Sequence, residues 1–144
     1  MDGPRICLTT SLSGYSLRVR NSQDEKKVQI SSDTRDGYPV VTVMGEIDLY
    51  TCPRFQESLE TAAKNSAVLI VDLSLISYID SAGLSVLLLM YKRLSASRGA
   101  LYVVSPPGNP GVRRVIEITR LDSLISIRPT LDDVLRELNM QRAA

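Results

Sequence analysis

From Val28 onward the chain alternates between short apolar runs of strand length and longer stretches whose apolar side chains recur every three or four positions. Val28-Gln29-Ile30 leads through Asp36-Gly37, a turn-forming dipeptide, into Val40-Val41-Thr42-Val43-Met44, which predicts an antiparallel hairpin. Gly45-Glu46-Ile47-Asp48-Leu49 is expected as a loop. Pro53 then suits the first turn of a helix with Phe55, Leu59, Ala62 and Ala63 inward and Arg54, Gln56, Glu57 and Glu60 on the wet side. Ala67-Val68-Leu69-Ile70-Val71-Asp72-Leu73 is almost continuously apolar, the pattern of a strand covered on both sheet faces. This strand is expected to end near Leu73, with a short loop before a helix that begins at Asp80 or Ser81. Ser81 to Ser97 is apolar nearly all round, which predicts a central helix closed by Gly99.

Leu101-Tyr102-Val103-Val104 reads as another buried strand, stopped by Ser105-Pro106-Pro107-Gly108. Asn109-Pro110 starts a short helix carrying Val112, Val115 and Ile116, and Leu124-Ile125-Ser126-Ile127 reads as a last short strand. Pro129-Thr130 introduces a final helix in which Thr130 and Asp133 have the spacing of a capping box, with Leu131, Val134, Leu135 and Leu138 as its buried stripe. The order β-β-α-β-α-β-α-β-α predicts a single α/β domain. Its mixed sheet of four to five strands opens with an antiparallel hairpin, continues through right-handed crossovers and is covered by about four helices.

Residues 1–26 have a different character, rich in Ser, Thr and Arg and leading into the charged run Asp24-Glu25-Lys26-Lys27. Within them Tyr15-Ser16-Leu17-Arg18-Val19-Arg20 alternates, so this N-terminal extension reads either as a tail or as an extra edge strand. The folded domain is expected over 27–144.

Composition narrows the chemistry. The 144 residues carry 17 basic and 16 acidic side chains, a near-balance that removes the broad electrostatic footprint of a direct nucleic-acid binder. There is no histidine, which excludes His-based acid/base catalysis, Ser–His triads and His-ligated zinc. Cys7 and Cys52 form no CxxC and no disulfide framework, which fits a reducing cytoplasm. The longest apolar run, Val86 to Tyr91, is far short of the roughly 20 residues that span a bilayer. No signal-peptide core follows Met1, so a cytoplasmic protein without membrane association is expected. Neither a Walker A nor a GxGxxG run occurs, and no cofactor is implied.

The segment from Val71 to Leu84 is the most informative, because a buried strand gives way to a helix start at Asp80-Ser81-Ala82-Gly83. Loops beyond the carboxyl ends of strands are where sites form in open α/β sheets. Asp80 and Ser81 are both good N-caps, and Ala82-Gly83 leave the backbone open to close approach. By itself a Ser or Asp opening a helix is most often only a cap.

Several segments occur together in an order and spacing that resemble one family. They are Gly45-Glu46-Ile47-Asp48, Thr51-Cys52-Pro53, Val71-Asp72-Leu73-Ser74, Ile79-Asp80-Ser81-Ala82-Gly83-Leu84, Ser105-Pro106, Val112-Arg113-Arg114-Val115 and Leu121-Asp122. From about Val28 to Asn139 the chain resembles the anti-sigma factor antagonists of the STAS domain family, with Asp80-Ser81-Ala82-Gly83-Leu84 as the most specific part. The resemblance implies a non-enzymatic partner switch. The unphosphorylated protein binds an anti-sigma factor that is also a serine kinase, so the sigma factor is set free. Phosphorylation of Ser81 ends that complex, and a metal-dependent serine phosphatase restores it. Asp48, Asp80, Ser81, Ala82, Gly83 and Leu84 are then the expected partner-binding residues, on a monomer or weak dimer. Arg120 stands where the family often has glycine, so it is strained if that position needs a positive φ.

Other readings are weaker. STAS domains also serve as non-switching scaffolds in stress signalling and as accessory modules of transport systems. A phosphoaspartate receiver built on Asp72 needs an acidic pair after the first strand and a late lysine, and neither is in place. Asp72 reads instead as a strand-end carboxylate that satisfies loop amides. A nucleotide hydrolase lacks its phosphate-binding glycines and metal site. Arg113-Arg114 reads as a solvated basic pair. Leu84, Leu87, Leu88, Met90 and Leu94 read as core, with one or two surfacing near Ser81.

Overall fold

In the computed structural model the described residues are 28–143. Strands β1 (Val28–Arg35) and β2 (Tyr38–Ile47) precede helix α1 (Cys52–Ala63), strand β3 (Val68–Ile79) and helix α2 (Ser81–Ala96). Then follow β4 (Ala100–Val104), α3 (Pro110–Thr119), a 3-10 turn (Leu121–Ser123), β5 (Ser126–Arg128) and α4 (Leu131–Ala143). The five strands form one sheet in sequence order. β1 runs antiparallel to β2, and the remaining neighbours are parallel. The expected single α/β domain with an opening hairpin is what forms. The reading of Tyr15 to Arg20 as strand or tail lies outside the described residues.

Asp36 and Gly37 both take positive φ, 54° and 85°, which matches the mirror-image turn that a right-twisted two-residue hairpin requires. The parallel strands need covered crossovers, and the two sheet faces are covered unequally. On one face α1 supplies Phe55 and Leu59, α2 supplies Val86, Leu87, Met90 and Leu94, and α3 supplies Val112 and Ile116. These close over Val41, Val43, Leu69, Val71 and Val103. On the other face α4 alone supplies Val134, Leu135 and Leu138, against Val40, Ile70, Tyr102 and Val104. Arg128 grips Glu137 on α4 through Nε and Nη2 at 2.8 and 3.1 Å, which raises the Arg128 pKa chiefly through that hydrogen bond. At the far end of α4, Arg142 donates to the Asp36 carbonyl at 3.0 Å and stacks over the Tyr38 ring.

Two expected loops are strand. β2 continues through Gly45-Glu46-Ile47, and β3 continues past Leu73 to Ile79. Thr42 pairs with Asp72 but Met44 with Leu75, and Gly45 pairs with Ile76 but Glu46 with Tyr78. β3 therefore carries one extra residue at each of two bulges. Each bulge returns the alternation to phase, so Leu73, Ile76 and Ile79 are all buried although they are three residues apart. Asp72 lies inside β3, at the last pairing with β4. Its Oδ1 accepts from Ser74 N at 2.9 Å and Ser74 Oγ at 2.6 Å across the first bulge. Its carboxylate does satisfy a nearby amide, but within a strand. The last strand also starts later than expected: the 3-10 turn carries Ile125 N onto Leu121 O at 2.9 Å, and β5 holds only Ser126–Arg128. Of the capping box on α4, the Thr130 half forms, with Asp133 N donating to Thr130 Oγ1 at 3.0 Å. The Asp133 carboxylate instead accepts from Arg136.

Two glycine-related positions decide local geometry. Gly99 follows α2 where a Cβ would collide with the Ala67 carbonyl oxygen, while the left-handed residue there is Arg98 at φ 63°. Arg120 closes α3 at φ 59°, ψ 29°, so this side chain does occupy the left-handed conformation that glycine favours. Relief of that strain predicts that Arg120→Gly raises stability by up to about 1 kcal/mol, read as a higher urea midpoint at unchanged m-value. A lower midpoint would contradict it.

Candidate functional site

The carboxyl ends of β2 and β3 turn into the starts of α1 and α2 side by side. Ile47 pairs with Ile79 as the final register position, and Asp80 N then donates to Ile47 O at 3.1 Å. That bond fixes the β2–α1 loop beginning at Asp48 against the first turn of α2. The two expected acidic positions, Asp48 and Asp80, are thus brought together by backbone.

Each carboxylate is held by its own loop. Asp48 Oδ1 accepts from Tyr50 N at 2.9 Å and Thr51 N at 3.0 Å. Thr51 is buried and returns the contact, accepting from Asp48 N at 2.9 Å while donating to Glu46 O at 2.9 Å. Asp80 takes the extended backbone of an N-cap, and its Oδ1 accepts from Ala82 N at 2.9 Å and Gly83 N at 3.3 Å. Two of the amides that open α2 are satisfied this way, and Leu84 N takes the Asp80 carbonyl at 3.1 Å. The cap is Asp80, which leaves Ser81 free of that duty.

Ser81 is the first residue of the 16-residue α2 and is exposed. Its carbonyl accepts from Ser85 Oγ at 2.8 Å, whereas its hydroxyl makes no hydrogen bond among the described residues. Ala82 and Leu84 are half-buried beside it. Gly83 is buried and faces inward. A Cβ there would stand 2.6 Å from Ile47 Cγ2 and 2.8 Å from Ile79 Cγ1, so its small size serves the docking of α2 onto β2 and β3. The openness expected at Ala82-Gly83 is therefore turned toward the core at Gly83. Farther along α2, Leu87, Met90 and Leu94 are core, and Leu88 is half-buried.

Sequence patterning missed two residues. Leu49 and Tyr50, in the loop that Asp48 and Thr51 shape, are 57% and 70% exposed and put apolar surface next to the acidic pair. The signal available was two large side chains in a segment expected to be loop. Arg113, by contrast, lies within 3.8 Å of Glu117 on its own helix and is spoken for there. Among the described residues, no cluster of three or more His, Cys, Asp or Glu side chains could hold a metal ion, and no helix is long and apolar enough to cross a membrane.

The arrangement can present a hydroxyl, two loop-fixed carboxylates and a small apolar rim to another protein. It holds no base positioned to activate that hydroxyl, since Asp80 Oδ1 is engaged by the helix amides.

Known proteins share this framework. An anti-sigma-B factor antagonist of Listeria monocytogenes is 37% identical over 89 residues, covering 61% of this chain and 76% of that protein. An anti-sigma-B factor antagonist of Staphylococcus aureus is 32% identical over 101 residues, covering 69% of this chain and 92% of that protein. The crystal structure of an anti-sigma factor antagonist from Mycobacterium paratuberculosis superposes with a TM-score of 0.71 at 34% identity, covering 78% of this chain and 94% of that one. The STAS domain family model matches residues 29–134, a span that holds all five strands but for Val28 and every expected site residue, and the chain belongs to the STAS domain family.

Proposed function

We propose that the chain is an anti-sigma factor antagonist working as a phosphorylation-controlled partner switch, with Ser81 as the phosphoacceptor. The unphosphorylated surface binds an anti-sigma factor that is also a serine kinase. Transfer of a phosphoryl group from ATP to Ser81 Oγ ends the complex, and a serine phosphatase returns the hydroxyl. The observation that carries this reading is the exposure of Ser81 at the start of α2, with its hydroxyl unused among the described residues and the capping role already taken by Asp80. The names borne by the relatives support the choice of partner.

The physical effect of such a modification divides cleanly between fold and surface. A phosphoserine adds roughly −1.5 to −2 charges, and the positive end of α2 tolerates an anion there. Asp80 caps from the backbone side and Gly83 locks the helix to the sheet, so the folded body survives. A docked partner meets the new charge directly. One like-charge pair at about 4 Å costs about 4 kcal/mol at an effective dielectric of about 20, close to a thousandfold in Kd.

Pull-down of the anti-sigma factor from the producing organism by the full chain is the direct test. Ser81→Ala retains the partner, and Ser81→Asp recovers at least tenfold less; equal recovery by wild type and both variants would replace the switch with a non-switching scaffold. Asp80 separates capping from charge. Asp80→Ala should lose about 1 kcal/mol of stability, whereas Asp80→Asn, which still caps, should stay within about 0.5 kcal/mol of wild type in urea melts. Gly83→Ala, in spite of its better helix propensity, should cost about 1–3 kcal/mol through overpacking against Ile47 and Ile79. A neutral result there would mean that α2 is not seated by that contact.

A further inference from the structure

The sheet face that carries α4 is only half covered. Along β2 the residues on that face are Val40, Thr42, Met44 and Glu46, and their β3 partners are Ile70, Asp72, Leu75 and Tyr78. α4 closes over Val40 and Ile70, the first pair. Beyond it Met44, Leu75 and Tyr78 stand 46%, 52% and 51% exposed, with Met44 and Leu75 directly paired and Tyr78 one pair further on. Three large apolar side chains side by side on an open sheet face mark a surface that another segment covers.

The chain itself supplies a segment of matching pattern. Residues 1–27 precede β1, and β1 enters the sheet at this level: Val28 pairs with Gly45 and Gln29 with Met44. In the sequence Tyr15, Leu17 and Val19 alternate with Ser16, Arg18 and Arg20, giving one apolar and one basic side in an extended conformation. The seven residues from Asn21 to Lys27 are all polar or charged and span at most about 25 Å when extended. Crossing from β1 to β3 needs about 10 Å. The β2 and β3 residues of the open face include the carboxylates Glu46 and Asp72 and no Lys or Arg, so a basic segment is favoured over an acidic one.

The outer edge of β1 is the competing position, and its chemistry disfavours it. Ser31, Ser32, Asp33, Thr34 and Arg35 are polar and exposed, so Tyr15, Leu17 and Val19 added there would have no apolar surface to meet. We propose that residues 15–20 fold back across the open half of this face, with Tyr15, Leu17 and Val19 covering Met44, Leu75 and Tyr78. The N-terminal extension is then an internal cover. It ends its crossing at Tyr78, three residues before Ser81, and does not depend on Ser81 being phosphorylated.

Methyl-resolved NMR on the full chain tests this. Cross-relaxation is expected between the methyls of Leu17 and Val19 and those of Met44 and Leu75, with further contacts to the Tyr78 ring. Leu17→Asp combined with Val19→Asp should remove these contacts, shift the Met44 and Leu75 methyls, leave the core Val71 and Leu87 methyls in place and raise binding of an apolar dye several-fold. Met44→Lys, changed from the opposite side, should release the same segment. Absence of the contacts, contacts to β1 backbone amides instead, or protection of Met44 and Leu75 that grows with protein concentration would each overturn the proposal, the last by showing that a second copy covers the face.

Discussion

One backbone contact organises the functional end of this domain: Asp80 N on Ile47 O, at the point where β2 and β3 finish together. It sets the β2–α1 loop against the first turn of α2 without any side chain having to reach across. Asp48 and Asp80 can then each spend a carboxylate oxygen on its own loop, through Tyr50 and Thr51 in one case and Ala82 and Gly83 in the other. Ser81 is left on the outside of a helix start that is already capped. The contact exists only because two bulges lengthen β3 by the residues needed to bring Ile79 level with Ile47.

The same constraint explains the small residues. α2 sits close over the strand ends because Gly83 presents no Cβ to Ile47 and Ile79. A larger residue would lift the helix start from the sheet and with it the hydroxyl. Asymmetry between the sheet faces follows from the helix count on each side. Three helices close the face beneath the site, while α4 covers part of the other, tied at its two ends by Glu137 to Arg128 and by Arg142 to the Asp36 turn.

Most of the fold was legible because burial imposes periodicity. The hairpin turn at Asp36-Gly37, the helix starts at Pro53 and Asn109-Pro110, and the stripe of Val134, Leu135 and Leu138 all follow local rules that tertiary contacts leave intact. The second half of β3 was not legible for a specific reason. Bulges space Leu73, Ile76 and Ile79 by three, and an alternation of period two cannot recognise such a strand. At the site, the Asp-Ser-Ala-Gly-Leu run marked the helix start, but the inward role of Gly83 and the apolar rim of Leu49 and Tyr50 depend on how two loops meet in space. Sequence spacing carries no information about that meeting.

The fold tolerates a dianion at Ser81 while the surface around it does not: that separation is the centre of the proposed function. Titration calorimetry of the anti-sigma factor with fully Ser81-phosphorylated chain, alongside unmodified chain of equal melting temperature, measures it directly. A Kd at least tenfold weaker for the phosphorylated form, with melting unchanged within a few degrees, is the predicted result; equal affinities, or a phosphorylated chain that has lost its fold, would contradict it.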